Sequence, residues 1–529
     1  MEYWAKAPLR RDQILLFAPT LDHSISDDHP VRLLDEILRA QDWSAWEVTY
    51  DGTRGRPPIP PWVVGGVILS GLMRGIRSSR VLEYLCGHNI DYLWLVEGRT
   101  IDHTTISEFR RRHHKPLKAL FCQVGKLALR MGLVRLVEVA LDGTRVKANA
   151  SRHQTWTAEG VAAALKELET VFEQAMAETE RADAAREGTV AGEEGCACLP
   201  PELATAQDRQ AKLQELLEEL RAADEARGKK GTDPQKSPAQ LPKADPQSHV
   251  MPNKEGGYAP NYTPLAAVDG HQGLIVDPEV IAEPCEDGQT LATVDRIEEN
   301  FGQKPKALLA DAAHGTGPNL MGMEERGVEF YSPVESPAPE EGNPAKRDDP
   351  RQPVAETEWA KLPRNQQQRL AKSCFVYDQQ GDCYYCPLGR VLKYEETKKD
   401  QRSGGTVEMR VYRCKGSEGC PLAWACRDPR AKQGRSIRRD QYEALRERMA
   451  HKLKSPQGKA TYARRMHTAE TPFGHIKSVM GVRQFLLRGL QKVRTEWLWV
   501  CTAYNLKKIL AAIGALRAEL AKMAVGAAG

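Results

Sequence analysis

The chain has 529 residues, 41% hydrophobic and 28% charged, a balance of globular rather than disordered protein. At roughly 150 residues per domain, that length makes about three folded units. A net charge of +4 decides nothing as a total, and no run reaches the roughly 18 uninterrupted apolar residues of a membrane span. The opening MEYWAKAPLRRDQ lacks the basic-then-apolar order of a signal peptide. A cytoplasmic location is expected, where the 12 cysteines point to metal or free thiols before disulfides.

Residues 1–132 read as an all-helical unit. SSRVLEYLCGHNIDYLWLVEGRTIDHTTISEFRRRH divides into short helices at Gly87-His88-Asn89 and Glu97-Gly98-Arg99. Asp102 suits the N-cap of a helix from Thr104, with Ile106 and Phe109 on its apolar face. That helix runs into RRRHHKPLK. Arg110, Arg111, Arg112 and Lys115 are there candidate contacts to nucleic-acid phosphates. The plainer reading is that cations favour a helix C-terminus and are solvated there.

At LVRLVEVALDGTRVKANA the period changes to two. Val137, Val139 and Leu141 share one strand face, and Glu138, Ala140 and Asp142 the other. Residues 258–284 read as two strands around Asp269-Gly270-His271. A further apolar strand, KALLA, ends in Asp311. Between the first strand and the hairpin, residues 153–244 form an Ala/Leu/Glu-rich helical hairpin followed by a flexible Pro/Lys-rich linker. The helical insertion and the C-terminal region differ in charge: residues 151–220 are acidic and 431–529 basic.

Residues 336–437 form a Cys-rich insertion with Cys383-x2-Cys386 and Cys414-x5-Cys420-x5-Cys426. Four thiolates suffice for a closed structural zinc site. Cys386, Cys414, Cys420 and Cys426 are the expected set, with Cys383 as an alternative member and buried free thiols as the competing reading. Cys86, Cys122 and Cys501 fall in apolar helical patterns and read as core. Residues 438–516 are helical and basic. There Glu470, Phe473 and Lys477 fall on one helix face, and Pro472 requires that the helix begin nearby or kink.

Asp142 and Asp311 each end an apolar strand, where a carboxylate is costly unless paired or bound to a cation. If the strands are neighbours, the two acids call for a divalent metal or a raised pKa. Oxygen ligands favour Mg²⁺ or Mn²⁺, and Glu470 from a covering helix completes a three-carboxylate, two-ion site for in-line displacement at phosphorus.

These residues carry a resemblance. Asp142 in VALDGTRVKA, Asp311 in LLADAAHG and Glu470-x6-Lys477 in AETPFGHIKSVMGVRQFLLRG resemble, in that order, the DDE transposases of bacterial insertion sequences. The nearest branch is the one called IS eleven-eighty-two, within the wider IS-four and IS-five group. The N-terminal helices and the YYCPLG and CPLAWAC motifs are similar to that family too. The resemblance implies an α/β fold. Its RNase H-like mixed-sheet core spans 133–152, 245–335 and 438–516 and is interrupted by the helical and Cys-rich insertions. An all-α N-terminal domain precedes it and a tail, 517–529, follows. It further implies Asp142, Asp311 and Glu470 as catalytic ligands of two Mg²⁺ or Mn²⁺ ions, and Lys477, Tyr462 and Arg465 as DNA contacts. The expected function is binding of terminal inverted repeats, strand cleavage and transfer into target DNA by a homodimer or larger assembly. A catalytically silent DNA-binding regulator is the alternative. The chain departs from the family's pattern at Ala-Ala-His after Asp311, where many relatives have Ala-Gly-Tyr.

Overall fold

The computed structural model describes residues 20–50, 57–186, 201–229, 233, 238–253, 256–283, 285–334, 342–402, 405–416, 419–427 and 433–527. Cys196 and Cys198 lie outside them. Seven helices come first: α1 Pro30–Arg39, α2 Ser44–Glu47, α3 Pro61–Met73, α4 Ser79–His88, α5 Ile90–Leu95, α6 His103–Arg112 and α7 His114–Arg130. Local signals set their starts. Ser78 accepts from Val81 N–H, Asn89 from Asp91 N–H, and Asp102 from Thr105 N–H at 2.8 Å.

Strands β1 Glu138–Gly143, β2 Val146–Lys147 and β3 Thr155–Trp156 follow, then helices α8 Ala158–Arg186 and α9 Pro201–Lys229. This pair packs through Val161, Leu165, Leu213, Leu216 and Leu220. The segment after it is not the expected flexible linker where it is described. Strand β4 Leu241–Pro242 pairs with β3, and buried Asp245 accepts from Tyr262 Oη at 2.7 Å and Gly489 N–H at 3.1 Å. Both bonds reach Oδ1 alone; Oδ2 is buried without a partner, and burial pushes the carboxyl above its usual range.

Strands β5 His249–Pro252, β6 Tyr258–Asp269 and β7 Ile275–Ile281 precede α10 Thr290–Phe301, β8 Ala307–Leu309, α11 Gly317–Glu325 and β9 Glu329–Tyr331. The main sheet runs β7-β6-β1-β8-β9, with β2 and β5 on the N-terminal half of β6. Pairs β1–β6 and β6–β7 are antiparallel, and β1–β8 and β8–β9 parallel. Val137 stands outside β1 and is exposed, because Leu136 takes a left-handed φ of 52° just before the strand.

The Cys-rich region forms a five-stranded antiparallel sheet of its own: β10 Val376–Asp378, β11 Cys383–Tyr385, β12 Val391–Arg402, β13 Gly405–Cys414 and β14 Ser436–Asp440, with α12 Ala423–Cys426 beside it. Its last strand crosses the boundary expected at 437. Helices α13 Glu443–Lys454, α14 Pro456–Ser478 and α15 Leu490–Ala527 complete the chain. Helix α14 neither starts at Pro472 nor stops there. It begins at Pro456 behind a Ser455 cap and carries Pro472 inside, on the buried face with Ala469, Phe473 and Ile476. Packing of that face compensates for the amide bond a proline cannot make.

One core joins the N-terminal helices, the main sheet and α15. Trp497 Nε1 donates to Leu265 O at 3.1 Å, Trp499 Nε1 to Arg110 O at 3.0 Å, and Asn505 bonds both Ile275 N–H and C=O. No described helix is long and apolar enough to cross a membrane.

Candidate active site

Strands β1 and β8 lie side by side with Ala140 opposite Leu309. Two residues further on, each backbone delivers an acid, Asp142 and Asp311. The two-residue repeat directs both acids to the face of Ala140 and Leu309. Helix α14 covers this face, with Ala469 in one apolar cluster with Ala140, Leu309 and Tyr331 and with Tyr462 packed against it. Glu470, the next residue, is exposed and has no hydrogen bond or ion pair among the described residues.

Asp142 is half-buried. Its Oδ1 accepts from Gly143 N–H at 3.0 Å and stands 3.7 Å from Arg465 Nη1. Asp311 caps a short 3-10 turn by accepting from Ala313 N–H at 2.9 Å, and its side chain stays 40% exposed. Lys477 Nζ donates to Thr144 Oγ1 at 2.6 Å and Arg145 O at 3.0 Å, tying α14 to the segment after β1. Arg465 therefore faces Asp142, and Lys477 faces the end of β1. Among the described residues no three His, Cys, Asp or Glu side chains are arranged to hold a metal ion.

Two residues missed in the sequence stand beside the acids. The Glu286 carboxylate lies against Gly143, where an added side chain would have to displace it, and Glu286 is 3.6 Å from Arg145. His314 is fully buried, its Nε2 3.8 Å from Asp311 Oδ1 and 3.9 Å from Glu286 Oε2. Burial pushes its imidazole below the ordinary histidine range, despite the nearby Asp311 charge. The DAAH motif put His314 within a turn of Asp311. No local pattern marked Glu286, since only the fold brings it to β1.

The basic run divides. Arg110 is buried, with one Nη donating to Arg77 O at 2.6 Å, because its position on α6 faces α15. Arg111 and Arg112 pair with Glu108 at 3.4 and 3.2 Å, and they and Lys115 face solvent. In the second sheet Cys386, Cys414, Cys420 and Cys426 all line one cavity of about 30 Å³. Cys383 does not line it; its Sγ lies instead near Gly381. All four lining cysteines are free thiols, and burial pushes Cys426 up to about 12. Cys86 and Cys501 are buried as expected and Cys122 partly so.

The fold is mixed α/β, with two strand-end acids on neighbouring strands beneath a helical cover. Residues 19–112 match the family described as transposase domain (DUF772), and residues 385–510 the family described as transposase DDE domain. The two matches support an insertion-sequence DDE transposase. The second match contains Glu470, Lys477 and the four clustered cysteines, while Asp142 and Asp311 precede it. No curated protein matched the chain.

Proposed function

We propose that this transposase, of the IS eleven-eighty-two branch, binds the terminal inverted repeats of its element, cleaves there and joins the freed 3′ end to target DNA. Its core is RNase H-like, and Asp142, Asp311 and Glu470 are its catalytic carboxylates. The observation that carries this reading is the parallel register Ala140–Leu309, which brings both strand-end acids to one level beneath α14. The strand order and directions β7-β6-β1-β8-β9 agree with it.

The donor set suits a hard divalent cation: oxygen ligands, two of them exposed and able to rotate, beside a buried histidine nitrogen without a partner. Two Mg²⁺ or Mn²⁺ ions, when bound, would activate the attacking hydroxyl and neutralise charge on the leaving oxygen. The chain's own residues hold and orient. Arg465 offsets the Asp142 charge, and Lys477 fixes the segment that follows it. Arg111, Arg112, Lys115, Tyr462, Arg465 and Lys477 contact DNA, which makes binding salt-sensitive. Cys386, Cys414, Cys420 and Cys426 hold a structural zinc, supported by their shared cavity. Because two ends must be cut and joined, the active form is at least a homodimer.

The test is metal-dependent nicking of a supercoiled plasmid carrying the element's ends. Asp142→Asn and Asp311→Asn are each expected to lose nicking while retaining DNA binding. Nicking retained by both variants overturns the assignment. Tight binding by a wild type that never nicks selects the silent DNA-binding regulator.

A further inference from the structure

We propose that His314 is a nitrogen ligand of the divalent cation held by Asp311, and that it biases the site towards Mn²⁺ over Mg²⁺. This rests on Asp142 and Asp311 being the cation-holding acids.

The argument starts from an unsatisfied atom. His314 is 0% exposed, and its Nε2 has no hydrogen-bond partner. A buried polar nitrogen left so is unfavourable and calls for a reason. The other ring nitrogen is engaged. Thr290 Oγ1 donates to Asp287 O at 2.9 Å, so its lone pairs accept from Asn319 Nδ2 at 2.9 Å and from His314 Nδ1 at 2.8 Å. The proton is therefore on Nδ1, and Nε2 presents a bare lone pair.

That lone pair faces two carboxylates, Asp311 Oδ1 at 3.8 Å and Glu286 Oε2 at 3.9 Å. Three electron-rich atoms directed at one another repel, and a cation between them turns the repulsion into ligation. Two arginines stand by these acids, Arg145, 3.6 Å from Glu286, and Arg465, 3.7 Å from Asp142. Neither is within bonding distance of Nε2. The ring cannot readily turn away. It is packed on all sides, and Asn319 also donates to the His314 carbonyl at 3.0 Å. Asp311, by contrast, is 40% exposed and can rotate towards an arriving ion. The site thus combines a fixed nitrogen with a movable oxygen. A nitrogen donor is tolerated better by Mn²⁺ than by Mg²⁺, which demands a near-ideal oxygen octahedron.

The experiment is Mn²⁺ binding by the full-length protein without DNA, followed by electron paramagnetic resonance, with Mg²⁺ as competitor. Bound Mn²⁺ in the wild type is expected to show coupling to a directly ligated ¹⁴N, and Mg²⁺ to compete poorly. His314→Gln is expected to lose the coupling and about tenfold in Mn²⁺ affinity. Bound Mn²⁺ without nitrogen coupling in the wild type overturns the inference, and needs no variant to fold. Unchanged Mn²⁺ affinity in a folded His314→Gln overturns it too. Asp142→Asn and Asp311→Asn separate the two levels. If both still bind Mn²⁺ fully, the three-carboxylate reading itself fails. If both lose it while His314→Gln does not, only the histidine's role fails.

Discussion

The two sheets of this molecule are stabilised in different ways. The main sheet shares one apolar core with the N-terminal helices and α15. Trp46 stacks on Phe109 with ring centroids 4.7 Å apart and tilts against Trp499 at 5.9 Å. The Cys-rich sheet has a small core, in which Tyr384, Tyr412 and Phe375 sit with Cys374 and Cys386. Around it runs a polar network. Tyr412 Oη and Tyr377 Oη donate to Asp382 Oδ1 at 2.6 and 2.8 Å, and Arg439 clasps Glu447 at 2.7 and 2.9 Å while lying 4.0 Å from the Tyr377 ring. The difference follows from size. A large unit buries enough apolar surface to hold itself, whereas a small sheet with exposed edges relies on staples and satisfied polar groups.

The strongest way to break that contrast is to test the zinc proposed for Cys386, Cys414, Cys420 and Cys426. Structural zinc contributes on the order of 10 kcal/mol in small sites. Cys386→Ser, or chelation, is therefore expected to unfold the five-stranded sheet while the main core keeps its melting transition. Metal content by mass spectrometry and calorimetry read the two separately. One zinc per chain is expected; zinc-free protein with an unaltered calorimetric trace would leave the thiols as ordinary core.

Next in size is the shared core. Trp497→Ala removes a fully buried indole and is expected to cost about 3–5 kcal/mol, a large share of a domain's usual stability. Urea unfolding should show the N-terminal helices and the main sheet lost together. Two separate transitions would mean that they are independent units after all.

The smallest effect concerns Asp382. Burial works against its charge, but the hydroxyls of Tyr412 and Tyr377 and the Arg410 guanidinium outweigh this and hold its carboxyl below the usual range. Its contribution is therefore full above the ordinary Asp value of about 3.9 and is lost as pH falls through the lower folded value. Tyr412→Phe is expected to cost about 1.5 kcal/mol near neutrality, and less in acid once Asp382 is protonated. Denaturation at several pH values checks it. A penalty that does not shrink below pH of about 4 would show that Tyr412 acts by packing alone.

Much of the candidate site's local placement was legible because it depends on near neighbours in sequence. A two-residue period placed Asp142 and Asp311 at strand ends, and helical spacing put Glu470, Phe473 and Lys477 on one face. The thiol set was legible in part, since spacing named four cysteines but left Cys383 in contention. Orientation was not legible. Arg110 belonged to the basic run, yet packing against α15 turned it inward. Strand β12 escaped notice because VLKYEETKKDQR buries Leu392 but is exposed from Lys393 to Asp400 and has no hydrophobic alternation.

Composition and periodicity thus determined, by themselves, the helical arm, the strand-end acids and the candidate cysteines, since each depends on residues only a few positions apart. Only the tertiary structure decided that β1 and β8 are neighbours, that α14 runs through Pro472, and that Glu286 and His314 join Asp311. Those pairings depend on contacts between distant segments, whose balance of burial against chain entropy no short window contains.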